Sequence, residues 1–283
     1  MTEDEFFPEA TGRVLVFDSG VGGVTVAQEI SAIAPKLIVD YAADTGFFPY
    51  GDKSDEALRA RLPVVARALV HVAQPDVFVI ACNTASTLAL PDVRAVLDIP
   101  VVGTVPAIKP AAEASQTGHI GLLATPGTIR RDYTQRLIEE FAADTEIVKL
   151  GSVELVRLAE AFAAGEEVSM DAVAAAQAPL FEGPTGAKID TVVLACTHFP
   201  LLREMLADTA PHPVRYIDSG QAIARQTLRV LEDRGAATGP KAAYITSEPA
   251  EEPGTMHVLN RFGYRRPVPV STRRKGTTSP EVA

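Results

Sequence analysis

The chain of 283 residues has two cysteines, and both sit in the same kind of context. VFVIACNTAS (77–86) and TVVLACTHFP (191–200) each run from apolar residues into Ala-Cys. Polar side chains follow, Asn83-Thr84 in one and Thr197-His198 in the other. A free cysteine is most often a small buried hydrophobe. Three features point elsewhere here: Cys82 and Cys196 fall at the ends of expected strands, polar groups follow both, and the two segments resemble each other. A disulfide would need Cα atoms within about 7 Å, closer than loops facing each other across a ligand would come. A metal site is disfavoured, because two Cys and one nearby His make neither a CxxC nor an HxxxH arrangement. Two thiols facing across one small ligand suit inversion of a carbon centre. One thiolate removes a proton from one face while the opposite thiol delivers a proton to the other. A thiol suits the task because its ordinary pKa, about 8.5, drops near cations and helix N-termini. A covalent cysteine mechanism would instead pair one Cys with a His base; the duplication favours two bases.

Such residues need strands that end at one place. Short apolar runs at Arg13–Asp18, Leu37–Ala42, Val77–Ala81 and Val101–Thr104 alternate with helical patterns at 24–34, at 55–73 and from about 84. The pattern restarts with His119–Ala124, Glu146–Leu150, Thr191–Ala195 and Val214–Asp218, with helices expected at 129–142, 153–164, 169–182, 201–207 and 221–234. Apolar strands alternating with helices predict parallel sheets covered on both faces. The expected fold is α/β: two pseudo-symmetric parallel-sheet α/β domains with the active site in the cleft between them. The first domain is expected over 12–110 plus about 217–264, the second over 111–216. A strand at Ala242–Thr246 and a short helix near 255–261 belong to the returning segment. Residues 1–11 and 265–283 are expected to be disordered tails. Ligands of open α/β sheets bind beyond the carboxyl ends of the strands. There the sequence places DSGVGG, DTGFFPYG, CNTAS and CTHFP.

Charge narrows the ligand. The formal net charge of −10 argues against a broad basic surface for nucleic acid. No run of 18 apolar residues predicts a membrane span. The acidic start MTEDEFFPEA lacks the basic and apolar regions of a secretory signal, so a cytoplasmic location is expected. DSGVGG is neither GxGxxG nor a GKT loop; Asp18 would repel phosphate but attract an ammonium group. Ser19, Asn83, Thr84 and Thr197 offer neutral hydrogen bonds, and loop amides near helix N-termini hold carboxylates. The set fits an amino-acid zwitterion. No nicotinamide fingerprint is present and no lysine stands out as a Schiff-base site, so no cofactor is implied.

FDSGVGGVTV, YAADTGFFPYGDKS, ACNTAS and ACTHFPLL resemble, in order, the four signature segments of the glutamate racemases, within the aspartate/glutamate racemase family. VVGTVPAIKPAAEAS, GLLATPGTIRRDYTQRLI and LGSVELVRLAEAFAAGEEVS are similar to its Gram-negative branch. The resemblance covers about residues 12–235. It implies a cofactor-independent enzyme that interconverts L- and D-glutamate and supplies D-glutamate for peptidoglycan. It further implies that Cys82 and Cys196 are the catalytic pair, the first deprotonating D-glutamate and the second L-glutamate. Asp18 and Ser19 match residues that bind the amino group and assist catalysis. Tyr50-Gly51, Asn83-Thr84 and Thr197-His198 match substrate-binding pairs. Asp44 matches a carboxylate near the first cysteine, His198 and Glu160 match residues that tune the second, and Thr125 and Thr128 match threonines at the side-carboxylate end. Activation by UDP-N-acetylmuramoyl-alanine and a homodimer are partner states known among such relatives. Phe47-Phe48 departs from the family, where many members carry an Arg or similar polar residue shortly before PYG. Two alternatives stay open: the sister aspartate or hydantoin racemases, against which the longer DTGFFPYG and THFPLL segments speak, and a non-enzymatic binder such as a topoisomerase inhibitor.

Overall fold

A computed structural model describes residues 7–231, 237–265 and 267–272. The sequence pattern resolves into two parallel sheets. The first contains β1 (Arg13–Asp18), β2 (Ile38–Ala43), β3 (Val77–Ile80), β4 (Val101–Gly103), β9 (Ala243–Ile245) and β10 (Val268–Pro269), in the order β10-β9-β2-β1-β3-β4. The second contains β5 (His119–Ala124), β6 (Glu146–Gly151), β7 (Thr191–Ala195) and β8 (Arg215–Ile217), in the order β6-β5-β7-β8. Every pairing is parallel. The helices are α1 (Val24–Ile33), α2 (Asp55–Ala73), α3 (Asn83–Arg94), α4 (Ile108–Ala114), α5 (Pro126–Arg130), α6 (Asp132–Phe141), α7 (Glu154–Ala163), α8 (Met170–Gln177), α9 (Gly183–Gly186), α10 (Arg203–Thr209), α11 (Gly220–Leu231) and α12 (Pro253–Arg261).

The strands read as continuous apolar runs because both faces are covered. Successive β1 side chains part company: Val14 and Val16 pack with Val24 and Ile30 of α1 and Ile223 of α11, while Leu15 and Phe17 pack with Leu58 and Leu62 of α2 and Ala85 of α3. In the second sheet Leu123, Val192 and Leu194 face Leu155 and Val173, while Ile120, Leu122 and Val193 face Ala107 and Ala111. β1 and β3 are central and adjacent, as are β5 and β7, so the loops after them emerge side by side.

Three local expectations need correction. Residues 267–272 are not a disordered tail. β10 pairs with β9, Val270 N–H donates to Ile245 O at 2.7 Å, and Arg61 reaches Thr272. Two paired residues are too few to leave a period in the sequence, and the segment is held by an edge of the sheet that it covers. Residues 7–11 are likewise placed, with Phe7 N–H bonded to Ile33 O; 1–6 and 273–283 lie outside the described residues. Finally, the helix expected over 129–142 is broken at Arg131, whose backbone is extended (φ −76°, ψ 139°) between α5 and α6. Neither Gly nor Pro marks the break; Arg131 instead spends its side chain on α2 and α3.

Candidate active site

Cys82 and Cys196 line the same cleft between the two sheets. Cys82 follows β3 and caps α3, while Cys196 follows β7. Both are buried free thiols. Ser19, Tyr50, Gly51, Asn83, Thr84, Thr125, Thr197 and His198 line the cleft with them. Asp18, Asp44, Glu160 and Thr128 do not; they stand behind it.

The two thiols have different surroundings. Cys196 Sγ lies 3.7 Å from His198 Nδ1, and His198 Nε2 lies 2.6 Å from Glu160 Oε1. Burial alone would push His198 down. The hydrogen bonds to Cys196 and Glu160, with their charges, outweigh it and hold the imidazole well above its ordinary 6.5. A protonated ring donates from both nitrogens, and it has one acceptor on each side. Cys82 has no such partner. Its thiol donates weakly to Ser19 Oγ at 3.9 Å, and burial, then the charge of Asp18, push it far above a thiol's usual range. One thiol is therefore held protonated while the other faces an imidazolium.

Asp18 is fully buried at the end of β1, and burial raises its carboxyl above the usual range. Ser19 N–H, Gly23 N–H and Thr197 Oγ1 donate to it at 2.8, 2.6 and 2.9 Å. The Thr197 bond ties the two halves together under the cleft. The glycines of DSGVGG allow this approach. A Cβ on Gly22 would lie 2.8 Å from the His198 backbone nitrogen, and one on Gly20 would lie 2.5 Å from Glu160 Oε1. The loop is built to admit the other half of the molecule.

Asp44 is held by Tyr50, Arg61 and Thr246. Its carboxylate accepts Tyr50 Oη at 2.6 Å, Arg61 Nη2 at 2.6 Å and Thr246 Oγ1 at 2.6 Å. Tyr50 therefore presents its ring and backbone to the cleft, its hydroxyl being committed. Asp44→Ala strands Arg61 and the Tyr50 hydroxyl, and is expected to lower folding stability by about 3 kcal/mol, read from the urea midpoint. Thr128 is fully buried behind Thr125, 3.1 Å between hydroxyls, and Thr125 in turn meets Thr84 across the cleft at 3.1 Å. Asn83 Oδ1 is buried with no partner, an acceptor left for a donor on the ligand.

Sequence reasoning did not assign roles to Phe48, Arg61 and Arg131. Phe48 lines the cleft and sits on the His198 ring, with centroids 6.0 Å apart. Phe47 packs on Tyr50 and beneath the Arg61 guanidinium. The unusual FF pair before PYG was the available signal, and it forms an apolar wall. Among the described residues no group of three or more His, Cys, Asp or Glu could hold a metal ion.

A thiol from each sheet at one cleft is the arrangement that proton transfer from one face of a carbon to the other would need. Residues 23–227 match the family model of Asp/Glu/hydantoin racemases, and the chain belongs to that family. It is 46% identical to the glutamate racemase of Escherichia coli K12 over 262 residues, 90% of each chain. Its structure is similar to that of E. coli glutamate racemase in complex with L-glutamate and the activator UDP-MurNAc-Ala, with a TM-score of 0.87 and 43% identity, covering 93% of this chain and 99% of that one. It is also similar to the RacE1 isoform of Bacillus anthracis glutamate racemase, with a TM-score of 0.73 and 27% identity, covering 94% and 97%.

Proposed function

We propose that the protein is a glutamate racemase that works by two-thiol proton transfer and supplies D-glutamate for peptidoglycan synthesis. The observation that carries the mechanism is the pair of unlike thiols on one cleft. From L-glutamate, the Cys196 thiolate takes the Cα proton and becomes a thiol. The Cys82 thiol gives its proton to the opposite face and becomes a thiolate. The reverse direction exchanges the roles. The imidazolium of His198 holds negative charge on Cys196, and Glu160 holds the imidazolium. Asn83 Oδ1 accepts from the substrate ammonium, which the carboxylate of Asp18 attracts from behind the cleft. Ser19 Oγ also accepts from the ammonium, the hydroxyls of Thr84 and Thr197 and the Gly51 amide bind carboxylate oxygens, and Thr84 with Thr125 marks the side-chain end. Closure of the cleft excludes water and strengthens each of these interactions.

The protein works in the cytoplasm, where two buried thiols stay reduced; no helix among the described residues is long and apolar enough to cross a membrane. UDP-MurNAc-Ala, the activator in the E. coli complex, activates this chain as well. The test is L-glutamate in D₂O without added cofactor, with and without that nucleotide. Optical rotation is expected to decay to zero, with D-glutamate carrying deuterium at Cα. Reaction of aspartate but not glutamate would overturn the substrate assignment, and no reaction of either, nucleotide included, would overturn the activity.

A further inference from the structure

Arg131 makes more of the cleft than its place in the sequence suggests. It sits in the extended step between α5 and α6, in the half of the molecule that carries Cys196. Its guanidinium crosses to the half that carries Cys82. Nη1 donates to the Thr84 carbonyl at 2.9 Å and to Thr87 Oγ1 at 3.0 Å, and Nη2 pairs with Asp55 at 3.0 Å. Thr87 Oγ1 in turn donates to the Asn83 carbonyl at 2.8 Å. One side chain thereby grips, directly or through one hydroxyl, the backbones of both residues that follow Cys82. The Arg131 side chain is only 9% exposed although its Asp55 partner is 54% exposed, and its Nε–H is buried without an acceptor. A cation placed there for solubility or for a surface ion pair would sit farther out. The neighbouring contact points the same way: Thr84 Oγ1 meets Thr125 Oγ1 across the cleft, one residue before α5 begins.

We propose that Arg131 is a positioning residue for racemisation: a latch between the two halves that fixes Thr84 and Asn83 against Thr125, and so sets the width of the cleft where the side-chain carboxylate of a five-carbon diacid must end. The inference rests on the glutamate racemase reading. Planarity matters, because one guanidinium spans a carbonyl, a hydroxyl and a carboxylate, which a lysine cannot do. The latch touches neither thiol. Its loss therefore lowers the population of the binding-competent closed cleft and leaves the chemistry of a correctly bound substrate alone. That pattern is a rise in KM with kcat kept.

The experiment uses the full chain and measures kcat and KM for L- and D-glutamate with Arg131→Met, Arg131→Lys, Thr87→Val and Asp55→Asn, each checked for a cooperative melt. Arg131→Met and Arg131→Lys are expected to raise KM about tenfold in both directions with kcat changed less than threefold. Thr87→Val, which removes only the arm to Asn83, is expected to raise KM about threefold, and Asp55→Asn, which removes only the exposed arm, less than twofold. Thr87→Val keeps the test decisive if the Arg131 variants fail to fold. Unchanged KM in folded Arg131→Met and Thr87→Val overturns the proposal, as does an equal fall of kcat and kcat/KM. Full rescue by lysine overturns it too, because a mere cation would then suffice. A wild-type protein that does not racemise glutamate overturns the activity itself, which is a different outcome from a racemase indifferent to Arg131.

Discussion

Alanine at either thiol is expected to lower kcat/KM for glutamate at least a thousandfold, in both directions, and the double replacement is expected to be no worse than the worse single one. General acid–base groups contribute typically 10²–10⁴-fold, and here one group must act on each face in every turnover. Residues that act as a unit are strongly non-additive. Two structural cysteines would behave otherwise, with additive losses of stability and activity that returns below the melting temperature.

The isotope experiment separates the two thiols. In D₂O, Cys82→Ala keeps Cys196 and its His198–Glu160 relay. It is expected to exchange the Cα proton of L-glutamate slowly, without inversion, and to leave D-glutamate untouched. Cys196→Ala is expected to do the converse, and more slowly. Its remaining base, Cys82, is pushed up by burial and by Asp18 and carries no imidazolium partner. NMR of each recovered enantiomer reads the outcome. Exchange of both enantiomers by one variant would mean that a single thiol reaches both faces, and the two-base geometry would be wrong.

Much of this site is legible in the sequence because its loops are local. DSGVGG, CNTAS and CTHFP each follow an apolar strand, and parallel strands in one sheet deliver their C-terminal loops to one edge. What the sequence hides is pairing over distance. Nothing near Asp44 announces that Arg61 and Thr246 will join Tyr50 on its carboxylate. The resemblance matches both Thr125 and Thr128 to the side-carboxylate end, yet only Thr125 lines the cleft and Thr128 stands behind it. The break at Arg131 is the sharpest case. The two arginines of RRDY are good helix formers, and tertiary hydrogen bonds to α3 override that local preference. β10 escaped for the opposite reason, being too short to have a preference of its own.

The largest effect outside the thiols is expected from His198. His198→Asn should lower kcat/KM about a hundredfold, within the range for acid–base partners, and Glu160→Gln about tenfold, since the amide oxygen can still accept from Nε2 but carries no charge. The two enantiomers have equal energy, so kcat/KM must fall by the same factor in both directions; the asymmetry appears in kcat, which falls more from L-glutamate. In the wild type the alkaline fall of kcat/KM marks loss of the His198 proton, at a pH well above 6.5 because the partners outweigh burial. In His198→Asn that limb is expected to vanish, and the residual rate to rise with pH as hydroxide generates the base. Stability should follow the same proton. A group whose folded pKa is raised stabilises fully below its unfolded value, and the contribution is lost as pH rises through the folded value. The urea midpoint of the wild type should therefore drift down from pH 6.5 upward, and above about pH 9 the protonated Cys82 adds a second slope of the same sign. His198→Asn should remove the first slope and keep the second. A wild-type midpoint that stays flat between pH 6.5 and 9 would show that His198 rests neutral, and the pairing of its imidazolium with Cys196 would fail with it.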